Sequence, residues 1–437
     1  MFKNKNITIL LVIAVIVIIV GILLFPGVQN SIKTVFKGGK ATGPVKLTVW
    51  GRDLPNDDPA HAYIRAVVTG FRAENPDIEL EYIALGDPGL MDKTKVAMAS
   101  NKDLPDIFQG WGGSVMGGYA DAGRLLDMTK ELKSIPCSAA AREAMTWKKK
   151  IYGVAPFFAI AGLFINEDIF KANGLKIPTT IDELEAVADA LKAKGIQPFA
   201  CGARDKWPPL ALYMYLTDRY GGINAFDDAR TRKIRFDSDA FVQAAQKYQE
   251  WVKKGYFGEK PLSEAYGDAD NLMATGKAAM QVTGSWKCAQ YASKDFTDQN
   301  IGFYPFPVLP GGKGEITDMM GMVDIGFTVT KAAANKKDAV VRFLKYAMSV
   351  EACSAEKGRI CAVPGVKVPT RLTGMASEVF GKAKAIQFWW DQDLPPMITS
   401  PLNDTLQTFF MPESDVVRAL TKYEELAEEH LGPAKEI

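Results

Sequence analysis

The sequence predicts an α/β protein, and three observations carry that prediction. Segments alternating apolar and polar residues take turns with segments whose apolar residues recur at i, i+3, i+4 and i+7, the rhythm of strands and helices in βαβ units. The chain has 437 residues, enough for two or three domains at roughly 150 residues each. Its composition, 47% hydrophobic and 24% charged, is that of a folded chain able to bury a sizeable core.

The N-terminus stands apart from that rhythm. Residues 7–25, ITILLVIAVIVIIVGILLF, carry no charge, and at about 1.5 Å per residue they would make roughly 28 Å of helix, close to the hydrocarbon thickness of a bilayer. A secretory signal peptide has a shorter apolar run and a small-x-small cleavage site, which Pro26, Gly27, Val28, Gln29 and Asn30 do not supply. The segment therefore reads as an uncleaved transmembrane anchor, with a cleaved, secreted form as the alternative. An acylated lipoprotein is excluded because the first cysteine is Cys137. Lys3 and Lys5 precede the segment while Lys33, Lys37 and Lys40 follow it, so flanking charge leaves orientation open. Residues 31–44, with Gly38, Gly39 and Gly43, read as a tether.

From Val45 the elements follow in order. Val45, Leu47 and Val49 alternate with Lys46 and Thr48 and run into Trp50-Gly51, a strand entering a loop. Ile64, Val67, Val68 and Phe71 mark a helix that Pro76 ends, and residues 78–83 form the next strand, completing a βαβ unit. Residues 104–108 and 163–166 read as short buried strands. Thr180 with Glu183 makes a capping box, followed by Leu184, Val187, Ala188 and Leu191 on one face and by Gly195 as a stop. A strand over 278–282, a helix within 338–349 carrying Val340, Phe343, Leu344 and Ala347, and a helix capped by Ser414 and ended by Gly432-Pro433 complete the series.

Composition and motifs exclude several kinds of chemistry. Fifty-two basic and 51 acidic residues leave a net charge of +1, with no charged block to attract nucleic acid. The two histidines, His61 and His430, are far apart, which weakens a histidine base or a multi-histidine metal site. The five cysteines, Cys137, Cys201, Cys288, Cys353 and Cys361, include no CxxC. Cys353 and Cys361, eight positions apart, can close a loop in an oxidising compartment or remain buried thiols. Neither a nucleophile elbow nor a phosphate-binding loop occurs, although Gly110, Gly112, Gly113, Gly117 and Gly118 lie close together. Asp57, Asp58 and His61 read as a solvated capping loop rather than as metal ligands, and no cofactor is expected. A pair of glycosidase carboxylates stays open, since spacing in sequence cannot reveal it.

Tryptophan carries the functional signal. Trp50, Trp111, Trp207, Trp286, Trp389 and Trp390 stand at predicted strand-to-loop junctions, where open α/β sheets bind ligands. An indole offers an apolar face and one N–H donor, which suits the C–H patch and hydroxyl rim of a sugar. Core packing is the competing reading for each of them, and Trp147 and Trp251 look structural.

An ordered series of segments then brings a family into view: LTVWG at 47–51, LPDIFQGW at 104–111, GGYADAGRLLDMT at 117–129, IYGVAPFF at 151–158, LFINEDIFKANGLKIPTTIDEL at 163–184, GKAAMQVTGSW at 276–286, IGFYPFPVLPGGKG at 301–314 and GFTVTKAAANKKDAVVRFLKYAMS at 326–349. Over residues 45–431 the chain resembles the solute-binding proteins of ABC sugar importers, the group that includes maltose-binding protein. Each piece is weak alone, and their order makes the resemblance specific.

The resemblance implies a two-lobed periplasmic-binding-protein fold of type II, hinge-linked, behind the N-terminal transmembrane helix. Its expected parts are anchor and tether at 1–44, one lobe at 45–156 and 305–352, the other at 157–304, and a C-terminal helical part at 353–437 belonging mainly to the second lobe. Strand crossings are expected near 155–159 and 304–307. A monomer on the outer face of the membrane would hold carbohydrate between its lobes and hand it to the permease subunits, without catalysis. The readings kept beside it are a sugar-active enzyme with a carboxylate pair and the same fold holding a non-sugar solute. By resemblance, Trp286 in G-S-W is the first candidate for stacking on sugar, followed by Trp111, Trp389, Trp390 and Trp207. Gly51, Arg52 and Asp53 occupy the loop where family members place hydrogen-bonding groups, and a charged fork there can match vicinal hydroxyls. Met320 and Gly321 stand where the family often carries Gly-Gly, a departure of this sequence, and Phe157 and Phe158 are expected to line the hinge side of the cleft.

Overall fold

The computed structural model describes residues 44–52 and 62–435. The expected anchor at 7–25, most of the tether, Asp53, Asp57, Asp58 and His61 lie outside the described residues. Among the described residues no helix is long and apolar enough to cross a membrane. Residues 44–46 and 76–79 belong to a small unit of their own, in which the Val45 N–H donates to the Asp77 carbonyl at 3.2 Å. Everything below concerns the larger unit.

The strands are β1 (Val45–Arg52), β2 (Ile78–Leu85), β3 (Ile107–Gly110), β4 (Thr146–Trp147), β5 (Lys150–Ile151), β6 (Gly153–Asn166), β7 (Gln197–Ala200), β8 (Ala278–Gly284), β9 (Ile301–Tyr304), β10 (Asp318–Val329), β11 (Ile360–Cys361) and β12 (Ala385–Phe388). Their order is β2-β1-β3-β10-β6-β8-β7, with β9 and β11 also pairing with β6, β12 pairing with β10, and β4-β5 a separate hairpin. β1 and β3 run parallel and β10 returns antiparallel to β3.

β6 holds this arrangement together. From Gly153 to Ile160 it pairs with β10 and β11; from Ala161 to Asn166 it pairs with β8 and β9. One strand thus serves two groups of strands, and the changeover falls between Ile160 and Ala161. All of β6 is buried, so GVAPFFAIAGLFIN has no polar face and shows no period of two. The sequence pattern therefore picks out only residues 163–166. At the changeover the Ile160 N–H donates to Ser285 Oγ at 3.2 Å, which ties β6 to the end of β8.

The return passage lies within β10, where Gly321 is the first residue to face the early half of β6, opposite Ile160. Residues 304–307 precede it on the side of the second group: Arg219 donates to the carbonyls of Phe306 at 2.8 Å and Pro307 at 2.9 Å, and Val308 bridges to Thr180. β11 then pairs Ile360 with Phe158 and Cys361 with Phe157, so part of the segment after 353 lies along the first group.

The helices obey local rules. Thr180 and Glu183 form the expected box, with the Glu183 N–H on Thr180 Oγ1 at 3.2 Å, and the helix Ile181–Ala193 buries Leu184, Val187, Ala188 and Leu191. The C-terminal helix Val416–Leu431 is capped by Asp415, not by Ser414: Asp415 Oδ1 accepts from the Arg418 N–H at 3.0 Å. Ser414 is held in the preceding turn, its N–H bonded to the Met411 carbonyl at 2.9 Å and its own carbonyl accepting from Gln249 at 2.8 Å. Trp390, Leu394, Ile398, Leu406 and Tyr423 join Leu163, Leu184, Phe199 and Trp251 in one core, which assigns the helices from Trp390 onward to the second group.

Candidate ligand-binding site

The G-S-W segment leaves β8 at the changeover on β6, and each of its residues has a separate task. Gly284 is a glycine because a Cβ there would meet the Trp286 ring at 2.0 Å; the indole folds back over it. Ser285 pins Ile160. Trp286 is half-buried, and its Nε1–H donates to Tyr266 Oη at 2.8 Å, leaving the phenol hydrogen for Thr283 Oγ1 at 2.7 Å. Around it stand Trp389, with ring centroids 5.3 Å apart, and Trp207, 6.0 Å away, while Trp207 also meets Tyr266 edge-on at 4.6 Å. Lys287 Nζ sits 4.2 Å from the centre of the Tyr266 ring. Burial, aided by the Asp270 charge, pushes the Tyr266 phenol well above its usual range, so it stays a neutral hydroxyl.

A second feature adjoins this aromatic group along the chain. A cavity of about 700 Å³, open mouth included, lies between β3, the helices Asp87–Ser100 and Gly113–Asp121, and the segment from Asp391 to Ser400. Phe108, Trp111, Met116 and Tyr119 give it apolar walls. Three buried polar atoms on its lining have no hydrogen-bond partner among the described residues: Thr94 Oγ1, Gln109 Nε2 and Asp391 Oδ1. Leaving such atoms unpaired costs on the order of 1–3 kcal/mol each, a debt that a polar ligand or water would cancel. Gln109 is fixed by its other end, since Oε1 accepts from the Arg52 N–H at 3.1 Å, and its amide donors are therefore held in place. Burial raises the Asp391 carboxyl to about 7, with Lys95 opposing weakly.

Arg52 is committed to a buried ion-pair chain. Its Nη1 lies 3.1 Å from Asp324 Oδ1, the other Asp324 oxygen takes Arg359 Nε, and Arg359 Nη1 reaches Glu356 at 2.9 Å. Asp324 sits where β10 slips register against β6, between Val323 and Ile325. Burial works to raise its pKa, yet Arg359 and Arg52 together hold it below the usual carboxylate range. The Arg52 guanidinium carbon is 6.0 Å from the centre of the Trp111 ring, which lines the cavity, while its charge faces Asp324. A Cβ on Gly51 would strike Tyr82 Oη at 2.0 Å, and that hydroxyl donates to the Arg52 carbonyl at 3.0 Å. Glycine here admits the tyrosine that positions Arg52.

The structure thus brings Trp207, Trp286 and Trp389 together and puts Trp111 at the cavity, with Arg52 behind it. The other candidates are placed as follows. Trp390, as buried as Trp389, is turned away from Trp286 and stacks on Phe226 at 4.6 Å in the same core. Phe157 packs edge-on against Tyr63 at 4.7 Å and Phe158 against Phe380 at 5.9 Å, since both faces of β6 are covered. Met320 and Gly321 are buried mid-strand, paired across to Gln387 and Phe388 of β12. Asp53 is outside the described residues. Sequence reasoning missed Tyr266, which carries no motif, and also Gln109 and Asp391, which lie within two residues of tryptophans it did choose.

Carboxyl pairs do occur, though away from the aromatic group. Asp218 is ion-paired to Arg219 close to Asp318; burial, against the pull of Arg219 and aided by the Asp318 charge, raises Asp218 to about 7. Both are buried behind the strand that Arg219 holds. Among the described residues no group of three or more His, Cys, Asp or Glu side chains is arranged to hold a metal ion.

Comparison with known proteins gives a consistent result. The model of the bacterial extracellular solute-binding protein family matches residues 57–352. The multiple sugar-binding protein of Streptococcus mutans is 25% identical over 326 residues, covering 70% of this chain and 73% of its own. Among solved structures, a chitin oligosaccharide binding protein superposes with a TM-score of 0.81 at 26% identity, over 89% of this chain and 99% of its own. A structure from work on xylan utilization by the thermophilic bacterium Caldanaerobius polysaccharolyticus superposes with a TM-score of 0.79 at 27% identity, over 87% of this chain and 99% of its own. The fold is that of two-lobed α/β solute-binding proteins.

Proposed function

The chain belongs to the bacterial extracellular solute-binding proteins, and from that premise we propose that it is the carbohydrate-binding subunit of an ABC importer. The observation that carries this reading is the convergence of Trp207, Trp286, Trp389 and Tyr266 beside a cavity whose lining leaves Gln109, Thr94 and Asp391 without partners. Flat apolar rings next to unpaired donors and acceptors match a pyranose, which has apolar C–H faces and a polar edge. In this reading Trp286 and Trp207 stack on the ligand, Trp111 and Trp389 wall it, and the Gln109 amide donates to a hydroxyl oxygen.

The work done is binding. Strands β6 and β10, shared by both lobes, act as the hinge; ligand contacts on both sides favour the closed arrangement, which docks on the permease. The apolar segment 7–25 holds the monomer at the outer face of the membrane, raising its effective concentration beside the permease. No catalysis is involved, and the buried Asp218–Asp318 pair offers no acid and base flanking a bound ring.

The test uses the chain lacking residues 1–43, stripped of ligand by partial unfolding, then screened with mono- and oligosaccharides by thermal shift and tryptophan fluorescence. At 100 times its Kd a ligand adds about 2.7 kcal/mol of stability. A shift with one sugar class, recovered chemically unchanged, supports the reading. A shift only with a non-sugar solute replaces the ligand class, and conversion of the sugar makes the protein an enzyme.

A further inference from the structure

Tyr266 begins the helix Tyr266–Ala274, and its backbone is clamped on two sides. Its N–H donates to Asp205 Oδ2 at 3.0 Å, and Gly202 presses so close that a Cβ there would lie 2.6 Å from the Tyr266 Cα. Four positions on, the same face of the helix carries Asp270. The ring has two neighbours in the short turn Ser285–Lys287 that follows β8. Trp286 and Lys287 are consecutive, yet they hold Tyr266 at different points: the indole N–H bonds its hydroxyl at 2.8 Å, and the Lys287 ammonium lies 4.2 Å from its ring centre.

A buried network places Lys287 there. Its Nζ is ion-paired with Asp270 Oδ2 and bonded to Gln290 Oε1 at 3.0 Å. Asp270 Oδ1 in turn accepts from the Tyr291 hydroxyl at 3.0 Å. Only 13% of the Lys287 side chain and 3% of the Asp270 side chain are exposed. The ammonium is therefore short of water, and its attraction to the electron-rich face of the ring is stronger than it would be at an open surface.

We infer that Lys287 is a positioning residue for the aromatic group that stacks on sugar, an inference that rests on the carbohydrate reading above. The cation fixes the Tyr266 ring. The phenol hydroxyl then fixes the plane of the Trp286 indole, and the ring meets Trp207 edge-on at 4.6 Å. An indole free to turn has to be ordered when a sugar stacks on it, which costs affinity. Holding two indoles through one tyrosine removes that cost before the ligand arrives. The action of Lys287 is indirect, exerted through Tyr266.

The experiment measures affinity by calorimetry on the full chain in detergent. The probes are maltose, cellobiose, xylobiose and chitobiose, with glucose, galactose and xylose as single-ring counterparts. Lys287→Met keeps the length of the side chain and removes its charge; it should weaken the tightest-binding probe about three- to tenfold, the scale of ordering one side chain on binding. Lys287→Arg keeps a cation for Asp270 and for the ring and should restore most of the loss. Because Lys287→Met strands a buried carboxylate, the double variant with Asp270→Asn is the control for folding: it should recover stability and still bind weakly. In a Trp286→Phe background, where the bond to Tyr266 is already gone, Lys287→Met should weaken binding little further, a coupling that a general loss of stability would not produce. Equal affinity of parent and Lys287→Met, recovered affinity in the double variant, or full additivity with Trp286→Phe would overturn the inference and leave the carbohydrate reading in place. A parent chain that binds none of the probes would remove the carbohydrate reading and the inference with it.

Discussion

Asp393 Oδ1 accepts a hydrogen bond from the backbone N–H of Ser114 at 3.2 Å and another from the Ser114 hydroxyl. The two residues are 279 positions apart in the chain. Ser114 lies in the first turn of the helix Gly113–Asp121 that follows β3, whereas Asp393 ends the helix Trp390–Asp393, whose Trp390 is in the core. Its other oxygen lies 3.1 Å from Arg230 Nε. A carboxylate distant in sequence thus caps the helix N-terminus, where the helix dipole favours it, and ties the helix Gly113–Asp121 to the segment after β12.

If the proposed closure brings these two segments together, Asp393→Ala should weaken ligand binding without unfolding the chain. A charge-assisted hydrogen bond contributes roughly 1.5–3 kcal/mol, so ligand affinity should fall about tenfold or more by calorimetry, with a melting temperature close to that of the parent. A drop in stability with unchanged affinity would make the contact structural instead.

Trp286 and Trp390 should respond in opposite ways. Trp286→Ala removes a half-buried ring whose indole bonds Tyr266, and ligand binding should be lost while most stability remains. Trp390→Ala empties a core position stacked on Phe226; it should cost about 3–5 kcal/mol in urea unfolding. Equal effects of the two substitutions on binding would remove the distinction drawn between them.

Breaking the ion-pair chain at its centre should be severe. Asp324→Ala leaves the buried guanidinium groups of Arg52 and Arg359 without the carboxylate between them, a change worth about 3–5 kcal/mol. Because Asp324 binds its proton more weakly folded than unfolded, its contribution is present above the unfolded pKa, about 3.9, and disappears as pH falls through the lower folded value. Equilibrium unfolding of parent and variant in acid should show the gap closing.

Asp218 and Asp391 impose the opposite slope. Each is raised to about 7 by burial, so the folded chain binds more protons than the unfolded one between about pH 4 and pH 7. Stability should decline as pH rises through that window and level off above it. Asp218→Asn and Asp391→Asn should each flatten part of the decline in urea midpoints, and the double variant most of it. An unchanged slope in the double variant would place the titration elsewhere.

Wherever one face of a segment met the core and the other met water, local pattern was a sound guide. The capping box at Thr180 and the buried face of its helix were legible because caps and 3.6-residue periods are properties of neighbouring residues. β6 was only partly legible: both of its faces are covered, so alternation vanishes, and its role as the strand shared by two lobes depends on partners as distant as β8 and β10. The C-terminal cap is Asp415 and not the adjacent Ser414, whose backbone belongs to the preceding turn, held by the Met411 carbonyl and by Gln249 from far away in sequence.

The same division runs through the site. Order of motifs in the chain identified the family and selected Trp111, Trp207, Trp286 and Trp389, since a tryptophan at the end of a strand is a local fact. Which tryptophan faces the ligand is not local. Trp389 and Trp390 are adjacent, yet one abuts Trp286 and the other stacks on Phe226. Arg52 turned from an expected ligand fork into one end of a buried ion-pair chain because Asp324 arrives from β10. The amino-acid order set the elements, the aromatic character of the site and the family; the packing of distant segments chose which side chains remain open to a ligand, because exposure depends on what other parts of the chain cover.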